Sequence, residues 1–156
     1  TVGELREPGS NTVLVELQCH LDTATGELVG YLVDEALVRG AVDAFASPVQ
    51  MKKGRPGWLV TVLADEGRAD LLATFLLEES TTLGVRRHRV ERSVLERWIE
   101  KRSTSLGEVQ FKVVRLPSGR VVARPEDDDV RRLCRDQGLA RREVLRLLGD
   151  DASGGS

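Results

Sequence analysis

The chain has 156 residues, with 23 Lys and Arg against 25 Asp and Glu, a formal net charge of −2 at pH 7 and only 4% aromatic residues. Near-neutrality excludes a strongly basic nucleic-acid coat, and no apolar run is long enough to cross a bilayer as a helix. Two Cys and two His exclude a multi-disulfide scaffold and a four-ligand Cys/His zinc site built from neighbouring motifs. A globular chain of this length buries roughly 68–70% of its unfolded surface, enough for one domain or two small ones.

Residues 1–11 are polar, rich in Gly and Pro, and lack the apolar run of a secretory segment; they read as a flexible amino end. The missing initiator Met reads as processing or as excision from a longer chain. Cys19 and Cys134 lie far apart and outside any C-x-x-C motif, the pattern of reduced thiols in the cytoplasm. From Val13 to Leu21, alternating and β-branched apolar residues predict a strand, broken by Asp22, Thr23, Thr25 and Gly26. Val29, Leu32, Val33, Ala36 and Leu37 then recur at helical spacing, and Gly40 ends the helix. A strand over about Val42 to Met51, the loop Lys52-Lys53-Gly54-Arg55-Pro56-Gly57 and a strand from Trp58 to Leu63 follow. Asp65 is placed to cap a second helix with the face Leu71, Leu72, Phe75 and Leu76, and a strand from Val85 to about Val90 completes β-α-β-β-α-β, the ferredoxin-like order.

A second, small α+β unit is predicted after it. Leu95 to Thr104 and Val109 to Leu116 read as strands about Gly107, Pro117-Ser118-Gly119 as a turn, and Val121 to Ala123 as a short strand. Two helices follow. The first opens on Glu126-Asp127-Asp128-Asp129 and carries Arg131, Arg132 and Arg135 later, an order that complements the helix dipole. The second, Arg141 to Leu148, has the apolar side Val144, Leu145 and Leu148. The expected division is a domain over 12–92, a second over 93–149, and a flexible tail or linker over 150–156.

Motifs exclude several chemistries. There is no Walker A loop, no G-x-G dinucleotide fingerprint and no G-x-S-x-G nucleophile elbow. His20 and His88 are the only imidazoles, and no local motif supports either as part of a Ser-His-Asp triad.

Charge is distributed unevenly. No acid occurs between Asp43 and Asp65, the stretch holding Lys52, Lys53 and Arg55, and none from Ser80 to Val90, which holds Thr81, Thr82, Gly84, Arg86, Arg87, His88 and Arg89. Glycine lets backbone N–H groups approach phosphate oxygens, while cations neutralise them and hydroxyls add donors. Solvated hairpin tips with scattered cations are the other reading. In an antiparallel β-α-β-β-α-β sheet, the end of the first strand, the hairpin between the second and third, and the start of the fourth share one end. The free N–H groups of the first helix point there too, so the topology gathers a candidate polyanion site.

Asp22 and Glu27 lie at that end, either as helix cap and first-turn dipole partner or as ligands of a divalent cation bridging phosphates. Cys19 and His20 are adjacent on a strand and face opposite ways, so they cannot share an ion, whereas His20 and Asp22 share a face.

The runs Ser47-Pro48-Val49-Gln50-Met51-Lys52-Lys53-Gly54-Arg55-Pro56-Gly57 and Glu79-Ser80-Thr81-Thr82-Leu83-Gly84-Val85-Arg86 carry a resemblance to a known family. The turn from Leu21-Asp22 to Thr25-Gly26-Glu27, and Pro125-Glu126-Asp127 with Cys134 nearby, extend it. Together they resemble the carboxy-terminal half of the LarC family over about Val13 to Leu148. The resemblance implies a ferredoxin-like domain plus a small second domain, part of a CTP-dependent nickel insertase (a chelatase of the lyase class). That family inserts nickel into pyridinium-3,5-bisthiocarboxylic acid mononucleotide, the pincer precursor, using CTP with magnesium or manganese. It further implies a cytoplasmic homo-oligomer, trimer or hexamer, working with an amino-terminal half that holds most of the nickel. Residue by residue, Lys52, Lys53, Arg55 and Gly57 would bind the CTP phosphates with Thr81, Thr82, Gly84 and Arg86, and Asp22, His20 and Glu27 would be metal ligands. One departure stands out: where the family turn often reads Asn-x-Asp-Asp, this chain has His20-Leu21-Asp22-Thr23, one carboxylate fewer and an imidazole more.

Two other readings remain open at this level. A non-catalytic, nucleotide-sensing oligomer fits His20 and Thr23 in the altered turn. An RNA- or DNA-binding module fits the sheet and the helices about Gly138, but Arg120 to Gly149 holds 8 Arg against 6 acids, with Asp150 and Asp151 following, and the third strand offers only Trp58 for stacking.

Overall fold

The computed structural model describes the backbone over residues 12–153 and side chains over 13–149. The expected flexible amino end, 1–11, lies outside the described residues, as do 154–156. Within 12–153 the chain forms two compact units that divide after Arg92.

The first unit runs β1 (Thr12–Leu21), α1 (Gly26–Val38), β2 (Asp43–Gln50), β3 (Pro56–Asp65), α2 (Glu66–Glu79) and β4 (Arg86–Arg92). Its strands lie in the order β2-β3-β1-β4, every neighbouring pair antiparallel, which is the ferredoxin-like sheet. Strand alternation sends Val15, Leu17, Cys19 and Leu21 of β1 to the face that also carries Val60, Val62 and Ala64 of β3. Both helices cover that face, α1 through Val29, Leu32 and Ala36 and α2 through Ala69, Leu72, Ala73, Phe75 and Leu76. The apolar stripes are narrower than their spacing predicts, and Leu37 and Leu71 are exposed. At 100° per residue, each lies more than about 100° from the centre of its stripe.

Local chemistry sets the ends of α1. Thr25, not Asp22, is its N-cap, and Thr25 Oγ1 accepts from the Leu28 N–H at 3.2 Å. At the other end Gly40, at φ +94°, donates to the Leu37 carbonyl while Ala41 donates to Ala36, the paired bonds of a Schellman motif. Asp65 occupies the N-cap position of α2 by backbone, but its carboxylate makes no capping bond.

The second unit has β5 (Glu96–Thr104), β6 (Gly107–Arg115) and β7 (Val121–Pro125) in antiparallel order, followed by α3 (Asp127–Gln137) and α4 (Arg141–Ser153). Val109, Phe111 and Val113 of β6 pack with Val130 and Leu133 of α3 and with Val144 and Leu148 of α4. Asp129 Oδ2 accepts from the Gln110 backbone N–H at 2.7 Å and so pins α3 to β6. That bond, then Arg132, holds the Asp129 carboxyl below its ordinary range. The helix α4 continues to Ser153, so 150–153 are helical rather than a loose tail, and Leu145 stays 38% exposed while Val144 and Leu148 are buried.

Candidate functional site

The strand register brings three connections to one end of the first sheet. Leu21, the last residue of β1, pairs with Trp58 of β3; Gln50 and Pro56 close the β2–β3 hairpin; and Arg86, the first residue of β4, pairs with Gln18. The amino terminus of α1 is at this end as well, because α1 follows β1 directly.

The hairpin tip is a single 3₁₀ turn, Lys52–Gly54, closed by the Met51 N–H donating to the Arg55 carbonyl at 2.7 Å. Lys53 (φ 62°) and Gly54 (φ 68°) are both left-handed, and Lys53 is the one non-glycine residue with positive φ among the described residues. A left-handed lysine costs about 1–2 kcal/mol. Lys52, Lys53 and Arg55 are all exposed there.

Two contacts tie the connections together. Arg55 Nη2 donates to Asp22 Oδ2 at 2.9 Å, joining the hairpin tip to the β1–α1 turn, with both side chains part-exposed. Arg86 Nη1 donates to His20 Nδ1 at 3.4 Å, which leaves the neutral ring's proton on Nε2. Beside the Asp22–Arg55 bridge opens a cleft of about 630 Å³, lined by Leu21, Asp22, Thr23, Ala24, Pro48, Val49, Gln50, Gly54, Pro56, Gly57 and Trp58.

Several sequence expectations change here. Gly57 was expected to contact phosphate, yet it is buried: a Cβ on it would stand 2.5 Å from Met51 Sδ and 2.8 Å from the Leu21 carbonyl oxygen. It is a close-packing glycine that seats the hairpin against the end of β1. Thr82 is turned to its own loop, with Oγ1 donating to the Gly84 carbonyl at 3.0 Å and its N–H donating to Ser80 Oγ at 3.2 Å. Its side chain also hydrogen-bonds the Cys19 thiol. Burial pushes that thiol up to about 11, against the smaller opposing effects of Thr82 and the Arg86 charge, so Cys19 is an inert core thiol. Thr81 and Gly84 remain exposed.

The cations of the second acid-free window separate. Strand alternation sends Arg87 to Asp70 of α2 at 2.5 Å and Arg89 to Glu66 of α2, leaving Arg86 as that window's contribution to the loop end. The three expected metal ligands do not converge: Asp22 is held by Arg55, His20 by Arg86, and Glu27 is exposed in the first turn of α1. Among the described residues no group of three or more His, Cys, Asp or Glu could hold an ion. Sequence reasoning missed Pro48, Gln50 and Trp58 as cleft residues; the available signal was their even-numbered parity with Ala44, Ala46 and Val60, which puts them on the helix-facing side just beyond the reach of α1.

Fold and loop chemistry thus define a class: a ferredoxin-like unit with a cation-rich, glycine-containing loop end, followed by a small α+β unit. The nickel insertion protein family matches over residues 3–145, and the chain belongs to that family, the LarC family. It is 41% identical over 138 residues to a "putative nickel insertion protein" of Geotalea uraniireducens (strain Rf4), covering 88% of this chain and 35% of the relative. A Myxococcus xanthus (strain DK1622) protein of the same description is 41% identical over 140 residues, covering 89% of this chain and 36% of the relative. The chain therefore spans little more than a third of these relatives. Among solved structures it resembles apo LarC2, the C-terminal domain of a cyclometallase involved in the synthesis of the NPN cofactor of lactate racemase. That likeness has a TM-score of 0.85 at 32% identity and covers 92% of this chain and 99% of that one. A Methanopyrus kandleri AV19 protein follows, with a TM-score of 0.63 at 25% identity, covering 91% and 88% of the two chains.

Proposed function

We propose that this chain is the CTP-binding part of a CTP-dependent nickel insertase that loads nickel, its substrate metal, into a pyridinium mononucleotide pincer. The observation that carries the proposal is the meeting of Lys52, Lys53, Arg55 and Arg86 with the amino terminus of α1 at one sheet end. Lys52 and Lys53, on a turn held in the left-handed region, clamp the triphosphate as point charges. Arg55 exchanges Asp22 for a phosphate oxygen, and Arg86 adds charge from the β4 side. Thr81 and the Gly84 backbone add donors; Thr82 and Gly57 serve the architecture of the loops.

A magnesium or manganese ion delivered with the triphosphate fits this end in a limited way. Such ions are held by one or two carboxylates plus phosphate oxygens rather than by an all-protein cage. Asp22 is the carboxylate lining the cleft, and it becomes available when Arg55 turns to phosphate. When bound, the ion screens the phosphate charge. The nickel itself, the pincer precursor and the oligomeric assembly belong to the whole enzyme, with nickel held mainly on an amino-terminal half.

Thermal unfolding with each of the four nucleoside triphosphates plus magnesium or manganese tests the proposal. CTP at 100 times its Kd adds about 2.7 kcal/mol. No shift with CTP, or equal shifts with all four, overturns it. No helix among the described residues is long and apolar enough to cross a membrane.

A further inference from the structure

The three-stranded sheet of the second unit has one face covered and one bare. Both helices pack on the side that carries Val109, Phe111 and Val113 of β6, and Trp98 of β5 and Ala123 of β7 border that core. Strand alternation sends the intervening residues to the opposite side. There Arg97 lies in line with Val114 and Val122, and in the next rung Ile99 lies in line with Lys112 and Arg124. Among the described residues no helix or strand of the second unit lies over them: Arg97, Lys112 and Arg124 are exposed, and Ile99 is 52% exposed.

Charge is sorted between the two faces of β5. Its acids, Glu96 and Glu100, sit at even positions on the helix side, where Arg115 and Arg102 answer them, each at 2.8 Å. Its odd positions carry Arg97, Ile99 and Lys101. The strand carboxylate on the bare face is Glu108, at the far end of the sheet and held by Lys101 at 2.5 Å. Lys112 has Glu126 at 3.6 Å, reaching in from the residue after β7. Among the described residues Arg97 and Arg124 have no ion-pair partner.

The result is a flat patch with a β-branched aliphatic centre and free guanidinium groups at two corners, on a chain whose net charge is −2. A face that needs only solubility mixes both signs. Aliphatic side chains give bases no platform for stacking, which argues against a nucleic acid. A second copy laid face to face would set cations against cations.

We infer that this bare face is a docking surface for an acidic protein partner, one that presents carboxylates to Arg97 and Arg124 and aliphatic side chains to Ile99, Val114 and Val122. Guanidinium groups take carboxylates in bidentate pairs, and the β-branched side chains between them exclude water from the centre of the contact. Neither a bare polyanion nor an uncharged apolar peptide meets both needs. Three strands about 4.8 Å apart make a small contact, so the encounter is transient and salt-sensitive.

The test is fluorescence anisotropy of two labelled probes with the full chain, at low and at high salt. One probe is a peptide of alternating glutamate and valine; the other is a single-stranded oligothymidylate with the same number of negative charges. The peptide is expected to bind more tightly than the oligonucleotide, with affinity lower by about tenfold or more in Arg97→Glu/Arg124→Glu and by about threefold to fivefold in Ile99→Ser. Lys52→Ala/Lys53→Ala, at the chain's other cationic site, keeps the peptide affinity. Trp98 lies on the helix side, so its fluorescence during urea unfolding shows whether each variant is folded, and the milder Arg97→Gln/Arg124→Gln replaces the charge reversal if that unfolds the unit. Tighter binding of the oligonucleotide, lost on charge reversal, assigns the face to nucleic acid and overturns the inference. No peptide binding, or peptide affinity indifferent to the charge reversal or to Ile99→Ser, or lost in Lys52→Ala/Lys53→Ala instead, overturns it as well.

Discussion

Replacing Gly57 by Ala adds one methyl group at the point where the β2–β3 hairpin presses on the end of β1. The new Cβ would meet Met51 Sδ at 2.5 Å, Met51 Cγ at 3.0 Å and the Leu21 carbonyl oxygen at 2.8 Å. The Met51 side chain is flexible and can swing aside, but the Leu21 carbonyl is backbone in a paired strand and cannot move without disturbing the β1–β3 register. Overpacking of this kind costs about 1–3 kcal/mol, and the rigid partner places Gly57→Ala near the upper end. With a urea m value of about 2 kcal/mol/M, the midpoint falls by about 1 M or more. Urea unfolding followed by Trp58 fluorescence in the Trp98→Phe background reads the first unit alone. Adding Met51→Ala separates the two clashes: it removes the sulfur but not the carbonyl, so the double variant stays destabilised relative to Met51→Ala alone. If Gly57→Ala lies within about 0.5 kcal/mol of the parent, or Met51→Ala restores it fully, the close-approach argument is wrong.

Three further outcomes follow from the structure. Lys53→Asn places a residue that tolerates the left-handed region at φ 62°, so stability rises by about 0.5 kcal/mol while tripolyphosphate affinity falls, checked by thermal unfolding and calorimetric titration. The Cys19 thiol, raised to about 11 by burial from its ordinary value of 9.0, ionises more readily in the unfolded chain. Stability is therefore full below about pH 9 and falls by about 2–3 kcal/mol between pH 9 and 11, a slope that Cys19→Val flattens in pH-dependent urea unfolding. Asp129→Ala leaves the Gln110 N–H without its partner and costs the second unit about 1–2 kcal/mol, read from Trp98 fluorescence in a Trp58→Phe background.

The order of elements was legible because hydrophobic spacing switches cleanly between two and three-to-four along the first unit, and that order leaves few sheet topologies. The convergence of three loops at one sheet end was legible for the same reason, since antiparallel pairing alone dictates it. The detailed roles depended on contacts between residues far apart in the chain. An acid-free window in sequence need not be acid-free in space: Arg87 and Arg89 find Asp70 and Glu66 on α2 because their side chains alternate away from Arg86. Gly57 looked like a phosphate-loop glycine because nothing in its neighbourhood announces that the Leu21 carbonyl, 36 positions earlier, will lie 2.8 Å from where its side chain would begin. Asp22 read as a cap because its partner, Arg55, comes 33 residues later. Strand ends shifted slightly: β3 begins at Pro56 and β4 runs on to Arg92, extensions set by pairing with β2 and β1.

The order β2-β3-β1-β4 also decides which strands have a free side within the first sheet, and both carry deterrents to being extended by a foreign strand. Pro48 in β2 lacks the N–H that an incoming chain would need. On the opposite rim, β4 is Arg-Arg-His-Arg-Val-Glu-Arg, charged at nearly every position, so a strand docking there would have to strip water from several guanidinium groups at once. The arginines that strand alternation removes from the loop end therefore keep a second use: with the rest of β4 they discourage a foreign strand from extending an all-antiparallel sheet whose two outer strands are each paired on one side only within the unit.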